Sequence, residues 1–546
     1  MKKIIAFLAY IFLIYVVLNG SLYACTNFLV TRGASIDGST FITYTADSHT
    51  LYGELYFWPA ADYPPGTVLD VYEWDSHKFL VQIPQLLHTY NVVGNMNEHQ
   101  LALGETTYGG KEELVDTSAK MDYGSLMYLA LQRARNSREA IKVMTQLVEE
   151  YGYCSEGESF SISDPNEAWI MEMIGKGPGN KGAVWVAMRI PDGCVSGHAN
   201  QARITTFPLN DTMNCYYSKD VISFARQKGY FKGKDEQFSF SDTYAPVDFG
   251  AARFCEARVW SLFNKVNSGM NKYLDYAMGK DLKNRMPLWV KPDKKLSVHD
   301  VMESMRDHFE GTPMDMNNDW GAGPYQCPYR WRPMNWKVDN KNYINERAIS
   351  TQQTGFSFVA QSRGWMPDAV GGIIWFAVDD NYTTVYTPMY TSINQVPSNY
   401  AVGNGDMMVF SDSSAFWIFN QVSNFAYTRY KDMIVDIKPV QKELELGYLN
   451  NTSDVDAKAL ELYNSNPADA KQFLTEYCLT LGKNTFNRWK QLYGFLFTKY
   501  MDGNIKFPVT DSRVPKVTQP GYSPEWYKEL VKQTGNRFKV IGEAGH

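Results

Sequence analysis

The chain has 546 residues, a formal net charge of −6 and an apolar content of 44%. This length permits more than one domain, and the apolar content is enough for a large core. The negative charge and the absence of a basic run in the sequence argue against nucleic acid as a partner.

The first 24 residues have the pattern of a secretory signal peptide. Two lysines give a positive start, residues 4–18 form an uncharged apolar run of about 15 residues, and the segment ends in Leu-Tyr-Ala. The run is shorter than the roughly 20 residues that cross a bilayer. We therefore predict cleavage after Ala24, export to the periplasm or the outside, and no stable membrane insertion of the mature chain.

A β-hairpin is predicted directly after this junction. Residues 26–31 (TNFLVT) and 41–46 (FITYTA) have strand composition, and the pair Asp37 and Gly38 between them is a strong turn signal. Cleavage after Ala24 would make Cys25 the first residue of the mature chain, immediately before the first strand.

Helices and further strand pairs follow. Residues 123–150 have helical periodicity. Strand–turn–strand patterns occur in ESFSISDPNEAWIMEMIG, AVWVAMRIPDGCVSGHANQ and GGIIWFAVDDNYTTVYTPMY, and LSVHDVMESMRDHF is a helix with a capping box from Ser297 to Asp300. Antiparallel strand pairs interleaved with helices predict a layered α+β fold.

The pattern becomes helical from about residue 440. Three long segments with helical periodicity follow, and residues 503–546 are polar and contain proline. We predict that this last stretch is a loose tail with one helix near 524–533. The predicted division is therefore a signal peptide at 1–24, a main domain at 25–440, and a C-terminal helical extension with its tail at 441–546.

The sequence predicts neither a metal site nor a cofactor. It has seven cysteines without a CxxC pair, no His-Glu-x-x-His and no glycine-rich phosphate loop. The calcium-like run DMNNDWGAGP has Trp320 and Gln326 where an EF-hand needs glycine and glutamate. Because the number of cysteines is odd, at least one thiol is left over unless it pairs between chains.

Cys25 has three possible roles on local sequence alone. As the first residue it would carry its own base, because an α-amine with a pKa near 7.7 to 8.0 can take the thiol proton. Alternatively, Leu-Tyr-Ala-Cys resembles a bacterial lipoprotein box, in which Cys25 would be lipidated. The third possibility is a buried or paired structural cysteine.

A family resemblance extends over roughly residues 25 to 440. It rests on CTNFLVTRGASIDGSTFITYTADSH, NMNEHQLALGETT, GESFSISDPNEAWIMEMIGKG, VSGHANQARI, DFGAARFCEARVWSLFN, EGTPMDM, GAGPYQCPYRWRPMNW and TQQTGFSFVAQSR, in this order. Together these segments resemble the secreted dipeptidase family of N-terminal-nucleophile hydrolases. That family includes the secernins and is distantly related to choloylglycine hydrolases and penicillin V acylases.

The resemblance implies a fold and a reaction, and two alternatives to that reaction stay open. The implied fold is a four-layer αββα sandwich with two antiparallel sheets, here with a C-terminal helical portion. The implied reaction is hydrolysis of dipeptides or other short amides through an acyl-enzyme on the N-terminal cysteine, without metal or cofactor. The alternatives are an acylase for N-acyl amino acids or β-lactams, and a surface lipoprotein that binds nutrients.

The resemblance also implies site residues. Asp47, in TYTADSH, matches the carboxylate that orients the α-amine of Cys25, and Asn200, in GHANQARI, matches an oxyanion-hole amide. Arg253, in AARFCEARVW, matches the arginine beside the nucleophile. Arg258, five residues further on, is the rival assignment.

The chain departs from the family pattern at Tyr44 and again at Thr106 and Thr107. Tyr44 stands where many relatives have an arginine, so the positive charge near the thiol must come from elsewhere. Thr106 and Thr107 stand where the bile-salt hydrolase branch has a second oxyanion asparagine.

His198 lies two residues before Asn200, and we interpret it as a structural strand histidine. A dipeptidase also needs both signs of charge in its site, for a free amine and a free carboxylate.

Overall fold

The computed structural model describes residues 23–542. The strands in chain order are β1 (Tyr23–Val30), β2 (Thr40–Ser48), β3 (Phe57–Trp58), β4 (Ala61–Asp62), β5 (Val68–Tyr72), β6 (Phe79–Pro84), β7 (His88–Thr89), β8 (Val92–Val93), β9 (Met96–Asn97), β10 (Ala102–Tyr108), β11 (Gly157–Ser163), β12 (Ala168–Gly175), β13 (Ala183–Arg189), β14 (Val195–His198), β15 (Cys215–Tyr217), β16 (Trp289–Val290), β17 (Asn335–Val338), β18 (Lys341–Ile344), β19 (Thr354–Ser362), β20 (Ile373–Val378), β21 (Thr387–Tyr390), β22 (Ile505–Val509) and β23 (Ser512–Thr518). Residues 1–22, which hold most of the predicted signal peptide, lie outside the described residues.

The α-helices are mostly short until the C-terminal third of the chain. They are α1 (Tyr123–Arg133), α2 (Ser137–Tyr151), α3 (Val221–Gln227), α4 (Phe240–Tyr244), α5 (Ala257–Val266), α6 (Leu274–Ala277), α7 (Val298–Ser304), α8 (Asp368–Gly371), α9 (Ala415–Tyr427), α10 (Tyr430–Ser465), α11 (Pro467–Tyr500) and α12 (Pro524–Thr534). A π-helical turn, Ala251–Glu256, leads directly into α5. The predicted capping box from Ser297 to Asp300 is confirmed at the start of α7.

Two large sheets form the centre of the molecule. One has seven strands in the order β16-β14-β1-β2-β19-β20-β21, and the other has eight in the order β15-β13-β12-β11-β10-β9-β8-β3. Neighbouring strands are antiparallel in both sheets. The prediction of an α+β fold with antiparallel sheets and a helical C-terminal portion is confirmed.

The two sheets pack against each other through β1 and β2 on one side and β10 and β11 on the other. Strand β12 is buried along its whole length. Its alternate residues point to opposite faces of the sheet, and both faces are covered. Ile170 and Ile174 join the apolar core between the sheets, whereas Trp169, Met171 and Met173 join the core under α1 and α2. Helices α5, α7, α9 and α11 contact the seven-stranded sheet.

The predicted N-terminal hairpin is confirmed as β1 and β2. Its register places Cys25 opposite Ala46 and Ala24 opposite Asp47. One predicted strand pair was wrong, because β13 and β14 lie in different sheets and β14 pairs with β1. The turn at 191–193 carries the chain from one sheet to the other, and this brings His198 and Asn200 toward Cys25.

The long helices of the C-terminal portion are attached to the main body by buried ion pairs. Helix α10 runs through residue 440, the boundary in the predicted division, so that boundary is not a break in secondary structure. Its Glu445 accepts from Arg306 at 2.6 Å, and its Asp456 pairs with Arg363. The predicted helix near 524–533 is confirmed as α12, and the tail also contains the hairpin β22–β23.

No helix within residues 23–542 is both long enough and apolar enough to cross a membrane. All seven cysteines fall in this range, and each of them is an unpaired thiol.

His198 connects the two sheets as a neutral side chain. Its Nδ1 lies 2.7 Å from Thr106 Oγ1 and its Nε2 lies 2.7 Å from Ser161 Oγ, both in the opposite sheet. Burial lowers the pKa of His198 from 6.5 to about 3, and the charge of Arg203 adds to this effect. These contacts agree with the structural role expected for His198.

Acid should destabilise the protein through His198. Because its pKa is lower in the folded state, the stability it contributes is present above pH 6.5 and is lost as the pH falls toward 3. Between pH 7.5 and 4.5 we expect the wild type to lose about 3 kcal/mol more unfolding free energy than His198→Gln loses. Urea denaturation at both pH values measures this. His88→Gln, at an exposed histidine, is the control, and equal pH dependence in wild type and His198→Gln would contradict the prediction.

Candidate active site

Cys25 is held by side chains that are distant in sequence. Its backbone N–H donates to Asn200 Oδ1 at 3.0 Å, and its carbonyl oxygen accepts from Arg258 Nη1 at 2.6 Å. The residue is 5% exposed. The position of its nitrogen is therefore determined by a polar partner as well as by the strand.

Arg258, rather than Arg253, contacts the candidate nucleophile. The fully buried Arg258 also donates to Thr26 Oγ1 at 2.8 Å, to Asn200 Oδ1 at 2.8 Å and to two further backbone carbonyls. One guanidinium thus connects Cys25, Thr26 and Asn200. Its planar fork of five donors suits this role, which a lysine cannot fill.

Arg253 pairs with Glu346 and donates no hydrogen bond to Cys25. Five residues on an α-helix correspond to a rotation of about 140°, so two arginines with this spacing do not face the same way. The π-helical turn Ala251–Glu256 ends immediately before α5, and its wider winding decides which arginine faces β1. The rival assignment, Arg258, therefore has the contacts that were expected for Arg253.

Asn200 is fixed by hydrogen bonds on both ends of its amide. Oδ1 accepts from Cys25 and Arg258, whereas Nδ2 donates to the carbonyl oxygen of Thr107 at 2.7 Å. The residue has a φ of 59°, a left-handed conformation that asparagine tolerates better than most residues. The amide is thus oriented with its oxygen toward the nitrogen of Cys25.

Asp47 lies beside Cys25 on β2 and is 2% exposed. Its carboxylate accepts from Thr354 Oγ1 at 2.7 Å and Thr45 Oγ1 at 3.2 Å. Burial raises the pKa of Asp47 to about 7, although these hydrogen bonds and the charges of Arg258 and Arg347 act in the opposite direction. A positive charge placed near this carboxylate would therefore be strongly favoured.

Tyr44 takes part in a polar contact at the sulfur but carries no charge there. Its hydroxyl donates to Glu105 Oε1, and Cys25 Sγ lies 3.8 Å from the oxygen of Tyr44 and 3.8 Å from Glu105 Oε1. The ring also packs edge-on against Phe356 and Phe358. Tyr44 therefore does not replace the positive charge of the arginine found in many relatives.

The thiol of Cys25 is protonated at rest. Burial raises its pKa well above the ordinary value, and the carboxylates of Glu105 and Asp47 raise it further. The backbone N–H of Asp47 and the hydroxyl of Tyr44 lower it, but by less. Such a thiol becomes nucleophilic only when a nearby base removes its proton.

Both signs of charge meet at the sulfur. The acidic side consists of Glu105 and Glu158, with Asp75 further out. The basic side consists of Arg258, Arg332 and Arg347, which surround Asp47. Burial lowers the pKa of Arg347 to about 9, and the charge of Arg258 contributes.

Sequence reasoning did not find Glu105 and Glu158. Both interrupt strands of otherwise apolar or small residues, and a carboxylate inside a buried strand is the signal that points to such a site. The family resemblance indicated Thr106 and Thr107 instead. Their hydroxyls are already used, by His198 at 2.7 Å and by Glu158 at 3.1 Å.

One group in the described part of the chain has the spacing of metal ligands. Donor atoms of His299, Glu303 and Glu445 lie within 4.8 Å of one another. Arg306 pairs with both Glu303 and Glu445, so the guanidinium already supplies the positive charge that a metal ion would bring.

Comparisons with known proteins agree with one another. Residues 56–443 match the profile described as peptidase family C69. A relative from Latilactobacillus sakei, named "Probable dipeptidase", is 26% identical over 476 residues, which cover 83% of this chain and 90% of that protein. A relative of the same name from Salmonella dublin is 25% identical over 392 residues, with 68% and 82% covered.

A "Probable dipeptidase B" from Lactococcus lactis is 24% identical over 440 residues, with 76% of this chain and 83% of that protein covered. The family match includes Glu105, Asn200 and Arg258 but begins after Cys25 and Asp47. Because the match spans well over half of the chain, this protein belongs to peptidase family C69 and is a peptidase.

Proposed function

We propose that this protein is an exported peptidase that hydrolyses dipeptides through an acyl-enzyme on Cys25, the first residue of the mature chain. The observation that carries the proposal is the contact between the nitrogen of Cys25 and Asn200 Oδ1 at 3.0 Å. In the mature chain that nitrogen is the α-amine. The printed names of the relatives support dipeptides as the substrate class.

In the first step, Sγ attacks the scissile carbonyl carbon and the thiol proton passes to the α-amine. An amine must act here because the pKa of the thiol is raised, so that no thiolate is ready in advance. Asn200 Oδ1 and the carbonyl of Cys25, held by Arg258, orient the amine. The ammonium ion that forms is stabilised by Asp47.

The tetrahedral oxyanion needs donors that are already in place. One Nδ2 proton of Asn200 is bound to Thr107, and we assign the second to the oxyanion together with a backbone N–H. Arg258 adds positive charge on the same side. The C–N bond then breaks, and the leaving amine takes the proton from the α-ammonium.

Water completes the reaction. It attacks the thioester carbonyl while the α-amine accepts its proton, the C–S bond breaks, and the proton returns to the sulfur as the acid product leaves. The amine of Cys25 thus acts twice as base and twice as acid.

We also propose that the fold is the four-layer αββα sandwich of N-terminal-nucleophile hydrolases. Two facing antiparallel sheets support this assignment, with α1 and α2 on one outer face. Helices α5 and α9 lie on the other outer face. The pair α10 and α11 would then be an addition at the β21 edge.

Export would create the active nucleophile. Tyr23 and Ala24 pair with Ser48 and Asp47 in the sheet, so cleavage before Cys25 would release this part of β2 beside the sulfur. Intact mass of the secreted protein tests this step. We expect a chain that begins at Cys25 with a free amine, whereas an added diacylglyceryl mass would support the lipoprotein alternative and contradict the mechanism.

The substrate class is tested with matched amides. We expect purified mature protein to release free amino acids from unblocked dipeptides. We expect kcat/KM for N-acyl amino acids and β-lactams to be at least about 100-fold lower than for unblocked dipeptides. The opposite preference would favour the acylase alternative.

A further inference from the structure

Glu105 faces the candidate nucleophile from the opposite sheet. It lies on β10, is 2% exposed, and places Oε1 3.8 Å from Cys25 Sγ. The contact between the sheets is fixed at this residue, because Asn27 Nδ2 donates to the carbonyl oxygen of Glu105 at 2.6 Å. The carboxylate is therefore held beside the position that the attacked carbonyl group must occupy.

No lysine, arginine or histidine within residues 23–542 forms an ion pair with Glu105. The groups that influence its pKa most, apart from burial, are Glu158, Tyr44, Cys25 and the backbone of Thr107, and none of them is a cation. In contrast, the equally buried Glu256, Glu445 and Asp456 each pair with an arginine.

The carboxyl groups of Glu105 and Glu158 interact, and each influences the pKa of the other. Glu105 Oε2 and Glu158 Oε1 are buried and receive no hydrogen bond from any other donor within residues 23–542. Burial raises the pKa of both carboxyl groups, and the charge of Glu105 raises that of Glu158 further, to well above the ordinary value. Glu105 is therefore the member of the pair that ionises more readily, and within residues 23–542 no cation forms an ion pair with it.

A single amino-acid residue of the substrate has the length needed to reach both Cys25 Sγ and Glu105 Oε1. From bond lengths of about 1.46 and 1.52 Å, the α-nitrogen lies about 2.5 Å from the carbonyl carbon of the same residue. A carbonyl carbon in position for attack lies about 3 to 3.5 Å from Sγ. A hydrogen bond of about 2.8 Å then joins the α-ammonium nitrogen of the substrate to Glu105 Oε1.

Aromatic side chains near Glu105 also suit a cation. Trp74 stacks on Tyr128 with ring centroids 4.4 Å apart, and Tyr56 lies edge-on to Trp74 at 5.0 Å. Burial raises the pKa of both Tyr123 and Tyr128, and the charge of Glu105 contributes to each shift, which places these rings within its field. Aromatic rings next to a carboxylate attract an ammonium group and also accommodate an apolar side chain.

Asp75 extends the negative charge outward. It accepts from the hydroxyl of Tyr123 at 3.1 Å. Loss of surrounding water raises its pKa to about 6, and the charges of Glu105 and Asp122 contribute. A cationic group approaching Glu105 from this side meets a second carboxylate on the way.

We propose that Glu105 binds the free α-ammonium group of the substrate and so restricts the peptidase to peptides with an unblocked N-terminus. This inference rests on the proposed function. Glu158 is a positioning residue that donates its proton to Glu105. The arginines around Asp47 would face the substrate carboxylate at the other end.

Two substrates that differ in one group test this proposal. Propionyl-Ala is Ala-Ala with a hydrogen atom in place of the α-ammonium group, and the rest of the two molecules is identical. We expect kcat/KM of the wild type to be at least about 100-fold higher for Ala-Ala. Glu105→Gln should lower the value for Ala-Ala by about that factor more than the value for propionyl-Ala, mainly through KM, and so remove the preference.

Three further variants define the assignment. Glu158→Gln can still donate a hydrogen bond to Glu105 and is expected to keep the preference for Ala-Ala. Glu105→Asp keeps the charge at a greater distance and should keep part of the preference. Glu150→Gln makes the same change at an exposed residue at the end of α2 and serves as the control.

Binding provides a readout that does not depend on turnover. Calorimetry with Cys25→Ala should give at least about 10-fold tighter binding of Ala-Ala than of propionyl-Ala, and Cys25→Ala/Glu105→Gln should bind both equally. The proposal is overturned if the wild type shows no preference for Ala-Ala, if Glu105→Gln keeps the preference, or if it weakens both substrates equally. Failure of the proposed function would appear differently, as wild-type protein that hydrolyses no dipeptide or as hydrolysis that survives Cys25→Ala.

Discussion

Cys25→Ala is expected to lower kcat for dipeptide hydrolysis by at least about 10³-fold, because the substitution removes the atom that forms the acyl-enzyme. The α-amine, Asn200 and Arg258 would all remain, yet without sulfur no covalent intermediate can form. The fold should survive, since the change removes one buried atom and leaves both backbone contacts of Cys25 in place. Steady-state kinetics and a melting curve on the same preparation measure the two effects.

The control for this experiment is a second buried cysteine. Cys215 is 3% exposed on the edge strand β15, so Cys215→Ala makes the same chemical change away from the candidate site. We expect its kcat to stay within about 2-fold of the wild type. If Cys25→Ala retained wild-type hydrolysis, the nucleophile would have been assigned to the wrong residue.

Arg258→Lys is expected to lower kcat/KM by at least about 100-fold, whereas Arg253→Lys should change it by less than about 3-fold. A lysine keeps the charge but cannot donate simultaneously to Cys25, Thr26 and Asn200. The nitrogen of Cys25 and the amide of Asn200 would then lose their common anchor. Arg253 can be exchanged more easily because its ion pair is with Glu346 and it donates no hydrogen bond to Cys25, Thr26 or Asn200.

Stability must be measured alongside the kinetics of these arginine variants. Breaking the hydrogen bonds of a buried arginine costs about 3 to 5 kcal/mol, so Arg258→Lys should also melt at a lower temperature. Assays well below that temperature separate the two effects. Equal losses of kcat/KM in Arg258→Lys and Arg253→Lys would contradict the assignment of Arg258.

Local sequence was sufficient for the elements whose signals lie within a few residues. The hairpin at 26–46, the strand pairs at 157–175 and 371–390 and the capping box of α7 were predicted correctly, because alternation, turn residues and caps act over short distances. The pairing of β13 with β14 was wrong, because turn chemistry does not reveal whether the next strand joins the same sheet. The tail hairpin β22–β23 was missed because each of its strands contains a proline and both are mostly exposed.

The sequence by itself determined the residue types available for chemistry, and it predicted that Cys25 follows a processing junction. Resemblance added Asp47 and Asn200, which the structure brings next to Cys25. Only the tertiary structure decided between Arg253 and Arg258, because the answer depends on the winding of one helical turn. It alone placed Glu105 at the sulfur, because contacts between two sheets join residues that are 80 positions apart and leave no local pattern in the chain.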